Sequence, residues 1–341
     1  MTDATISSLT RRVLWATKLR YLKRKELARL AGDEIFFKTE IEKLGNSIPE
    51  FHGFTANSET ARKTMEACLA EIETAKSLNQ KIISVHDKHF PHLLADHPNL
   101  PLLLYASGST EILTSPCVTV IGSRDATDHA LVITERIVKE LVEAGFTIVS
   151  GLALGIDATA HAAAIKAGGK TIAVMPCGLE TITPKTNSRL AKEIIESGGA
   201  LVSEYPYKAV PYPSNFVDRD TTQAAFSSGV VLIQSGTRGG SMHASRAAIE
   251  IQRPLIVVEP TKHDAAFNRL KVDANLALIN GDAYEKASLL RCDESSLDYL
   301  FPLRSKADYP EAFAKLKNVQ PKGALPLLRR RRKIEAATTS E

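Results

Sequence analysis

Residues 146–175 read FTIVSGLALGIDATAHAAAIKAGGKTIAVM, and this stretch decides the fold. It opens on one β-branched run, FTIVSG, and closes on another, KTIAVM. The alanine-rich segment between them is helical in character and stops at Gly168, the residue type that most often ends a helix. Strand, helix and strand in sequence form a βαβ unit. Both runs are nearly continuous in apolar residues, as strands are when helices cover both faces of a parallel sheet.

The same rhythm extends in both directions. Further strand-like runs are CVTVIGS (117–123), ALVSEYP (200–206), GVVLIQSG (229–236) and PLIVVEP (254–260). Amphipathic segments such as LVITERIVKELVEAG and NSRLAKEIIESGG lie between runs and end at Gly145 and Gly198. Six runs separated in this way predict an α/β fold with a doubly wound, mostly parallel sheet. The connection 203–228 breaks the pattern. Its PYKAVPYPSNF segment cannot be helix interior, so it reads as a long functional loop.

Three regions follow from this reading. Residues 1–85 form a small helical N-terminal domain, with Val13, Leu14, Leu19, Leu22, Leu27 and Leu30 at helical spacing. The basic KLRYLKRK segment there reads as a solvated face. Residues 86–290 carry the sheet. Residues 291–341 are broken by FPLRSKADYP and QPKGALPLL and read as an irregular basic extension, with a short helix around 308–317.

Composition limits the function classes. A chain of 341 residues is too long for one ordinary domain, and 44% hydrophobic content supports a sizeable core. No apolar run reaches 18 residues, so no membrane span is expected. MTDATISSLTRR lacks the apolar core of a secretory signal. Cys68, Cys117, Cys177 and Cys292 are far apart and form no C-x-x-C, which argues against a disulfide framework or zinc site. A reducing cytoplasm fits this usage. The net charge is +4, yet Lys315, Lys317, Lys322, residues 329–332 and Lys333 contribute eight positive charges with no acid among them. Such a block either attracts phosphate or is a solvated tail.

In open parallel sheets, ligands bind beyond the carboxyl ends of the strands. The residues that follow each run therefore carry the chemistry. Gly122, Ser123 and Arg124 follow the first, and Ser150, Gly151, Gly155 and Asp157 the second. Lys185 and Asn187 come after the third, and Glu204, Asn215, Phe216 and Arg219 after the fourth. Ser235, Gly236, Arg238, Gly239, Gly240 and Ser241 come after the fifth. Small, hydroxyl and cationic residues on one edge predict an anion site. Glycines admit a close backbone approach, helix N-termini supply N–H donors, and Arg124 and Lys185 supply charge. Arg124, Gly151 and Lys185 are expected to converge on one open concavity.

Neither G-x-x-x-x-G-K-[ST] nor G-x-G-x-x-G occurs, so a P-loop and a standard dinucleotide site are not expected. Asp157 and His161, four apart, share a helix face. A first-turn carboxylate and a packed imidazole explain them better than a catalytic pair. His243 reads as structural, since no His, Asp or Glu stands at ligand spacing from it, and no metal is expected. Glu204 reads as a buried, hydrogen-bonded acid. Arg246 could pair with an acid or reach the anion.

The ordered series VIGSR (120–124), AGFTIVSGLALGIDATAHAAAI (144–165), TIAVMPCGLETITPKTNSRLAKEI (171–194), LVSEYP (201–206), NF (215–216) and GGSMHASRAAIE (239–250) resembles the DNA-processing protein A family, also called Smf or DprA. HDKHFPHLLADHPNLPLLLYASGS (86–109) extends the likeness upstream, and NLALINGDA (275–283) extends it downstream more weakly. The resemblance implies an extended Rossmann-like core, a homodimer, no enzymatic activity and no cofactor. It implies binding of single-stranded DNA and loading of the recombinase RecA during natural transformation. It carries the DNA site to Gly122, Ser123, Arg124, Lys185, Asn187, Asn215, Phe216 and Arg219.

This sequence departs from the family after the Asn-Phe pair. Where the family runs proline, a variable residue, arginine, asparagine, arginine, this chain reads Val217, Asp218, Arg219, Asp220, Thr221. One cation is lost and two acids appear. The alternative is a nucleotide-sensing pocket, for instance in phage defence. Members often end in a winged helix, which 291–341 does not resemble, and the first 85 residues match the usual N-terminal domain only as helical and basic.

Overall fold

The computed structural model describes residues 6–320 apart from residues 20, 53, 55–57 and 97–100. A single nine-stranded sheet organises the chain. Its strands are β1 Lys81–Ser84, β2 Leu103–Gly108, β3 Cys117–Ile121, β4 Thr147–Ser150, β5 Thr171–Met175, β6 Ala200–Ser203, β7 Val230–Leu232, β8 Leu255–Val258 and β9 Leu300–Leu303. They lie in the order β1-β2-β6-β5-β4-β3-β7-β8-β9. The pairs β1–β2 and β2–β6 are antiparallel and all others parallel. The six runs expected from sequence are the six central parallel strands β3 to β8. The fold is the doubly wound, Rossmann-like α/β arrangement.

The strand order places the switch point. From β3 the chain winds one way through β4, β5 and β6, then returns to β7 on the other side of β3 and continues to β8 and β9. The crevice between the ends of β3 and β7 is where such sheets bind ligands. Side-chain alternation along β3 supports both faces. Val118 and Val120 pack with Ile137, Val138 and Leu141 of the helix Asp128–Glu143. Ile121 turns the other way, onto Leu232 and Met242. Gly145, Gly168 and Gly198 take positive φ values of 90°, 72° and 78° at the helix ends, as their sequence positions suggested.

The region boundaries need adjustment. Val13, Leu14, Leu19, Leu22 and Leu30 are buried, but in a core they share with Ile83, Leu104 and Leu201 of the sheet. β1 lies before residue 86, and the Tyr105 hydroxyl of β2 donates to Glu71 at 2.7 Å. KLRYLKRK is not wholly a solvated face either, since Lys18 pairs with the buried Glu71.

At the other end, residues 300–317 are not irregular. β9 adds to β8, and the helix Tyr309–Lys317 buries Ala312 and Leu316 against the Val118 face. Pro302 hides this strand in the sequence. A proline is tolerated there because β9 is an edge strand, where one row of N–H groups is unpaired anyway. Lys315 and Lys317 belong to that terminal helix, while 329–333 lies outside the described residues. Among the described residues no helix is long and apolar enough to cross a membrane.

If residues 300–317 complete the core, Leu316→Ala should cost about 2–5 kcal/mol, the usual range for a buried leucine. Urea denaturation of the full chain measures this. A loss below about 0.5 kcal/mol, typical of surface positions, would detach the segment from the core.

Candidate functional site

The connection after β6 is the largest local departure from expectation. Residues 213–226 are not loop but a helix, Pro213–Phe226. Pro213 stands in its first turn, where a missing N–H removes no intrahelical bond. Phe216, Arg219, Asp220 and Gln223 recur at three- and four-residue spacing and so share one face. That face forms one wall of a cleft of about 470 Å³ at the β3/β7 switch point. Gly122, Ser123 and Arg124 from the end of β3 form the second wall. Ser235 and Gly236 after β7, with Gly239, Gly240 and Ser241 at the start of the helix Ser241–Glu250, form the third.

Arg219 lies at the bottom of this cleft and is almost fully enclosed, with its side chain 4% exposed. Its guanidinium stands 3.7 Å from Asp157 and 3.3 Å from Asp220. With the Gln223 amide oriented so that its oxygen faces the guanidinium, that oxygen accepts from Nε and Nη1 at 3.2 and 2.7 Å. Gly151 is what makes room, because a Cβ there would sit 1.1 Å from Nη1 of Arg219. Asp157 accepts in addition from the backbone N–H groups of Gly151 and Ala153, at 3.2 and 3.3 Å. Burial pushes the Asp157 carboxyl up, against the opposing pull of Arg219 and these donors. Burial also raises Asp220, to about 6, and Asp157 adds to this while Arg219 and Arg124 oppose it.

Arg124 behaves differently. It is exposed, and no carboxylate among the described residues lies within ion-pair distance of it. Its guanidinium sits 5.6 Å from the centre of the Phe216 ring, which also carries Arg219 at 5.9 Å. Both contacts are within cation–π range. The cleft therefore presents one open cation, a half-buried aromatic ring and a helix N-terminus.

The expected convergence of Arg124, Gly151 and Lys185 is not met, since of the three only Arg124 lines the cleft. Gly151 touches the cleft through Arg219, beneath its floor. Lys185 follows β5, two strands from β3, and does not line the cleft. Gly155 does not line it either. Its φ is 72° and a Cβ would meet the carbonyl oxygens of Ser123 and Arg124 at 2.4 and 2.6 Å, so it seats the Arg124 loop. Asn187 and Asn215 brace the backbone. Asn187 donates to the carbonyls of Leu152 and Ala153, and Asn215 to those of Pro176 and Val210.

Of the two acids next to Arg219, Asp220 lines the cleft, while Asp218 accepts from the Tyr205 hydroxyl at 3.0 Å outside it. Asp157 and His161 do not act on one another. The Thr171 hydroxyl donates to the Ile148 carbonyl, so it accepts from Nδ1–H of His161 at 2.6 Å. Burial lowers His161 to about 3, which keeps the ring neutral. Glu204 is a structural acid, raised by burial, accepting from Thr222 at 2.7 Å and paired with Arg24 at 3.4 Å. Arg246 donates through Nε to the Leu289 carbonyl, pairs with no acid among the described residues and does not line the cleft.

Sequence reasoning missed Gln223 and Asp157 as the partners of Arg219. It also missed Asn275, whose side chain accepts from Ser235 N–H and donates to the Ile233 and Val258 carbonyls, tying the β7 and β8 ends together. Pro213 with the Phe216–Arg219–Gln223 spacing was the available signal for the first; nothing local signals the second.

A mostly parallel Rossmann-like sheet with a cation and an aromatic ring at its switch point defines an α/β protein with a candidate ligand cleft. The model of the DNA recombination-mediator protein A family matches residues 81–287, more than half of the chain, and the chain belongs to that family. It is 36% identical to Protein Smf of Synechocystis over 53% of this chain and 46% of that protein. It is 34% identical to Protein Smf of Escherichia coli over 58% and 52%, and 35% identical to the DNA processing protein DprA of Streptococcus pneumoniae over 51% and 61%. The chain thus matches about half the length of these relatives. The crystal structure of DprA from Streptococcus pneumoniae shares the fold, with a TM-score of 0.64 over 90% of this chain and 98% of that one at 24% identity. DNA processing protein A of Helicobacter pylori, described for its single-stranded DNA binding mode, has a TM-score of 0.51 at 28% identity over 62% and 97%.

Removing Arg219 strands a buried carboxylate, so Arg219→Ala should destabilise the chain by about 3–5 kcal/mol. A urea midpoint within error of the wild type would show that the pair carries no weight. The raised acid makes a second prediction. Asp220 binds its proton more tightly folded than unfolded, so its contribution is present below the unfolded value of about 4 and lost as pH rises through about 6. Asp220→Asn should reduce the slope of stability against pH between these limits. Asp157, raised in the same direction, retains the remainder.

Proposed function

We propose that this protein binds single-stranded DNA at the β3/β7 cleft and assists recombination without breaking a bond. The observation that carries the reading is the exposed Arg124 guanidinium resting on Phe216, with no carboxylate partner among the described residues. Single strands are held by neutralising phosphate and stacking unpaired bases, and an Arg–Phe platform supplies both. The N-terminus of the helix Ser241–Glu250 adds N–H donors on the opposite wall. Membership of the DNA recombination-mediator protein A family supports the reading further, as does the single-stranded DNA binding of the Helicobacter pylori protein. Loading of RecA, a role in DNA uptake, a homodimer and a cytoplasmic location belong to the same proposal.

The reading shifts weight among the cations. Arg219 is committed to Asp157 and acts as a support. Lys185 stands off the cleft, so its part is secondary. Asp220 opposes phosphate when ionised, and affinity therefore falls as pH rises through about 6.

Fluorescence anisotropy with a labelled oligodeoxynucleotide tests the proposal on the full chain. Arg124→Ala should weaken binding by about tenfold or more, the worth of a lost charge-assisted bond. Lys185→Ala should change it less. Affinity should fall with salt at about 0.7 in log–log slope per phosphate neutralised. Replacing residues 329–332 with serine separates the tail from the cleft. Loss of binding there, with Arg124→Ala unaffected, would overturn the cleft as the site. Thermal stabilisation by a mononucleotide but not by the oligomer would favour a nucleotide sensor instead.

A further inference from the structure

Beside the cleft, two loops that are far apart in sequence bring three metal-ligating side chains together. His129 stands in the first turn of the helix Asp128–Glu143, which follows β3. His263 and Asp264 stand in the first turns of the helix Lys262–Phe267, which follows β8. One ligand atom from each of the three lies within 4.8 Å of the other two. The geometry points to a divalent transition-metal site of the zinc class, with His129, His263 and Asp264 as its protein ligands.

The imidazoles stand at ion-pair distance from the carboxylate without being hydrogen-bonded to it. Nδ1 of His129 is 3.7 Å and Nδ1 of His263 4.0 Å from the same oxygen, Oδ1 of Asp264. Both lie beyond the roughly 2.7–3.2 Å of a hydrogen bond. Ligands on a tetrahedral zinc with bonds of about 2.0–2.1 Å stand about 3.3–3.4 Å apart. The two imidazole–carboxylate separations exceed this by less than an ångström, and the two imidazole ligand atoms lie within 4.8 Å of each other. The two imidazoles, 52% and 58% exposed, can swing to close that gap.

The carboxylate is the fixed member. Asp264 is 3% exposed and held from both sides. The Thr127 hydroxyl donates to Oδ2 at 3.1 Å, and the Asn268 amide donates to Oδ1 at 3.3 Å. Thr127 is itself fixed, since its oxygen caps the helix through Ala130 N–H and accepts from the Gln234 amide. A ligating carboxylate oriented by outer hydrogen bonds is the usual arrangement at a metal. Two imidazoles and one carboxylate suit zinc and its neighbours, whereas calcium and magnesium prefer all-oxygen sites. Three protein ligands leave a fourth position for water. A bound ion would clamp the β3 and β8 loops together, and the assignment is independent of what the cleft binds.

Equilibrium dialysis of the untagged full chain against Zn²⁺, followed by elemental analysis, gives the stoichiometry. Competition with a chromophoric chelator gives the affinity. One retained ion per chain is expected. His129→Ala and His263→Ala should each lower affinity by more than the 10–100-fold typical of losing an outer hydrogen-bond partner. Both residues are exposed, so the metal-free variants should unfold at the wild-type temperature, and this is checked in chelator. With Co²⁺ in place of Zn²⁺, the visible spectrum of the wild type should carry a low-symmetry ligand field that the variants lack. No retained ion in the wild type would overturn the assignment. So would an unchanged stoichiometry in the His129→Ala/His263→Ala double variant, which would move the ion to other histidines.

Discussion

A buried positive charge has few places to go. The Arg219 guanidinium is enclosed between the helix Pro213–Phe226 and the turn after β4, and it persists there because Asp157 and Gln223 meet it. Burying either ion alone would be costly, so the pair ties the two elements together. This explains several otherwise separate features. Gly151 must lack a side chain, the Asp157 side chain must fold back from the first turn of the helix Ile156–Lys166 onto the preceding loop, and the helix Pro213–Phe226 must start early enough to deliver Arg219. It also removes Arg219 from the stock of free cations. The charge available to a ligand is that of Arg124, held over Phe216 by the same helix.

The position of the cleft follows from the winding of the sheet. Helices and loops diverge where the chain changes direction between β3 and β7, and a crevice is left at their carboxyl ends. Strand ends further along the sheet do not share that crevice. This is why Ser123 and Ser235, over a hundred residues apart, face one another while Lys185 stands aside. The two acids after Phe216 divide by helical geometry in the same manner. Asp220 is on the cleft face, and Asp218, two residues earlier, points to Tyr205. The cleft thus has a buried, paired Arg219 beneath it and a titratable carboxyl at its rim.

The cluster of His129, His263 and Asp264 illustrates the limit of local pattern. Its members come from opposite sides of β7 in the strand order, one after β3 and two after β8. No motif spacing links residues 129 and 263. β3 and β8 both run parallel to the intervening β7, so their carboxyl ends share one edge of the sheet, and the first turns of the helices that follow them meet there.

The amino-acid sequence by itself determined the alternation of strand and helix, the six central parallel strands and the edge on which a site would form. Continuous apolar runs and terminal glycines such as Gly145 and Gly168 carry that information locally. Phe216 and Arg124 were also singled out as candidate residues through the resemblance, and both line the cleft. Tertiary structure decided the rest. It extended the sheet to β1 and β9, where a short run and Pro302 weaken the local signal. It turned residues 213–226 from loop into helix, because a proline in a first turn costs nothing there. It assigned Gly155, Asn187, Asn215 and Arg219 to bracing the site. Whether a polar side chain supports a backbone or meets a ligand depends on which buried partners surround it, and those partners come from distant parts of the chain.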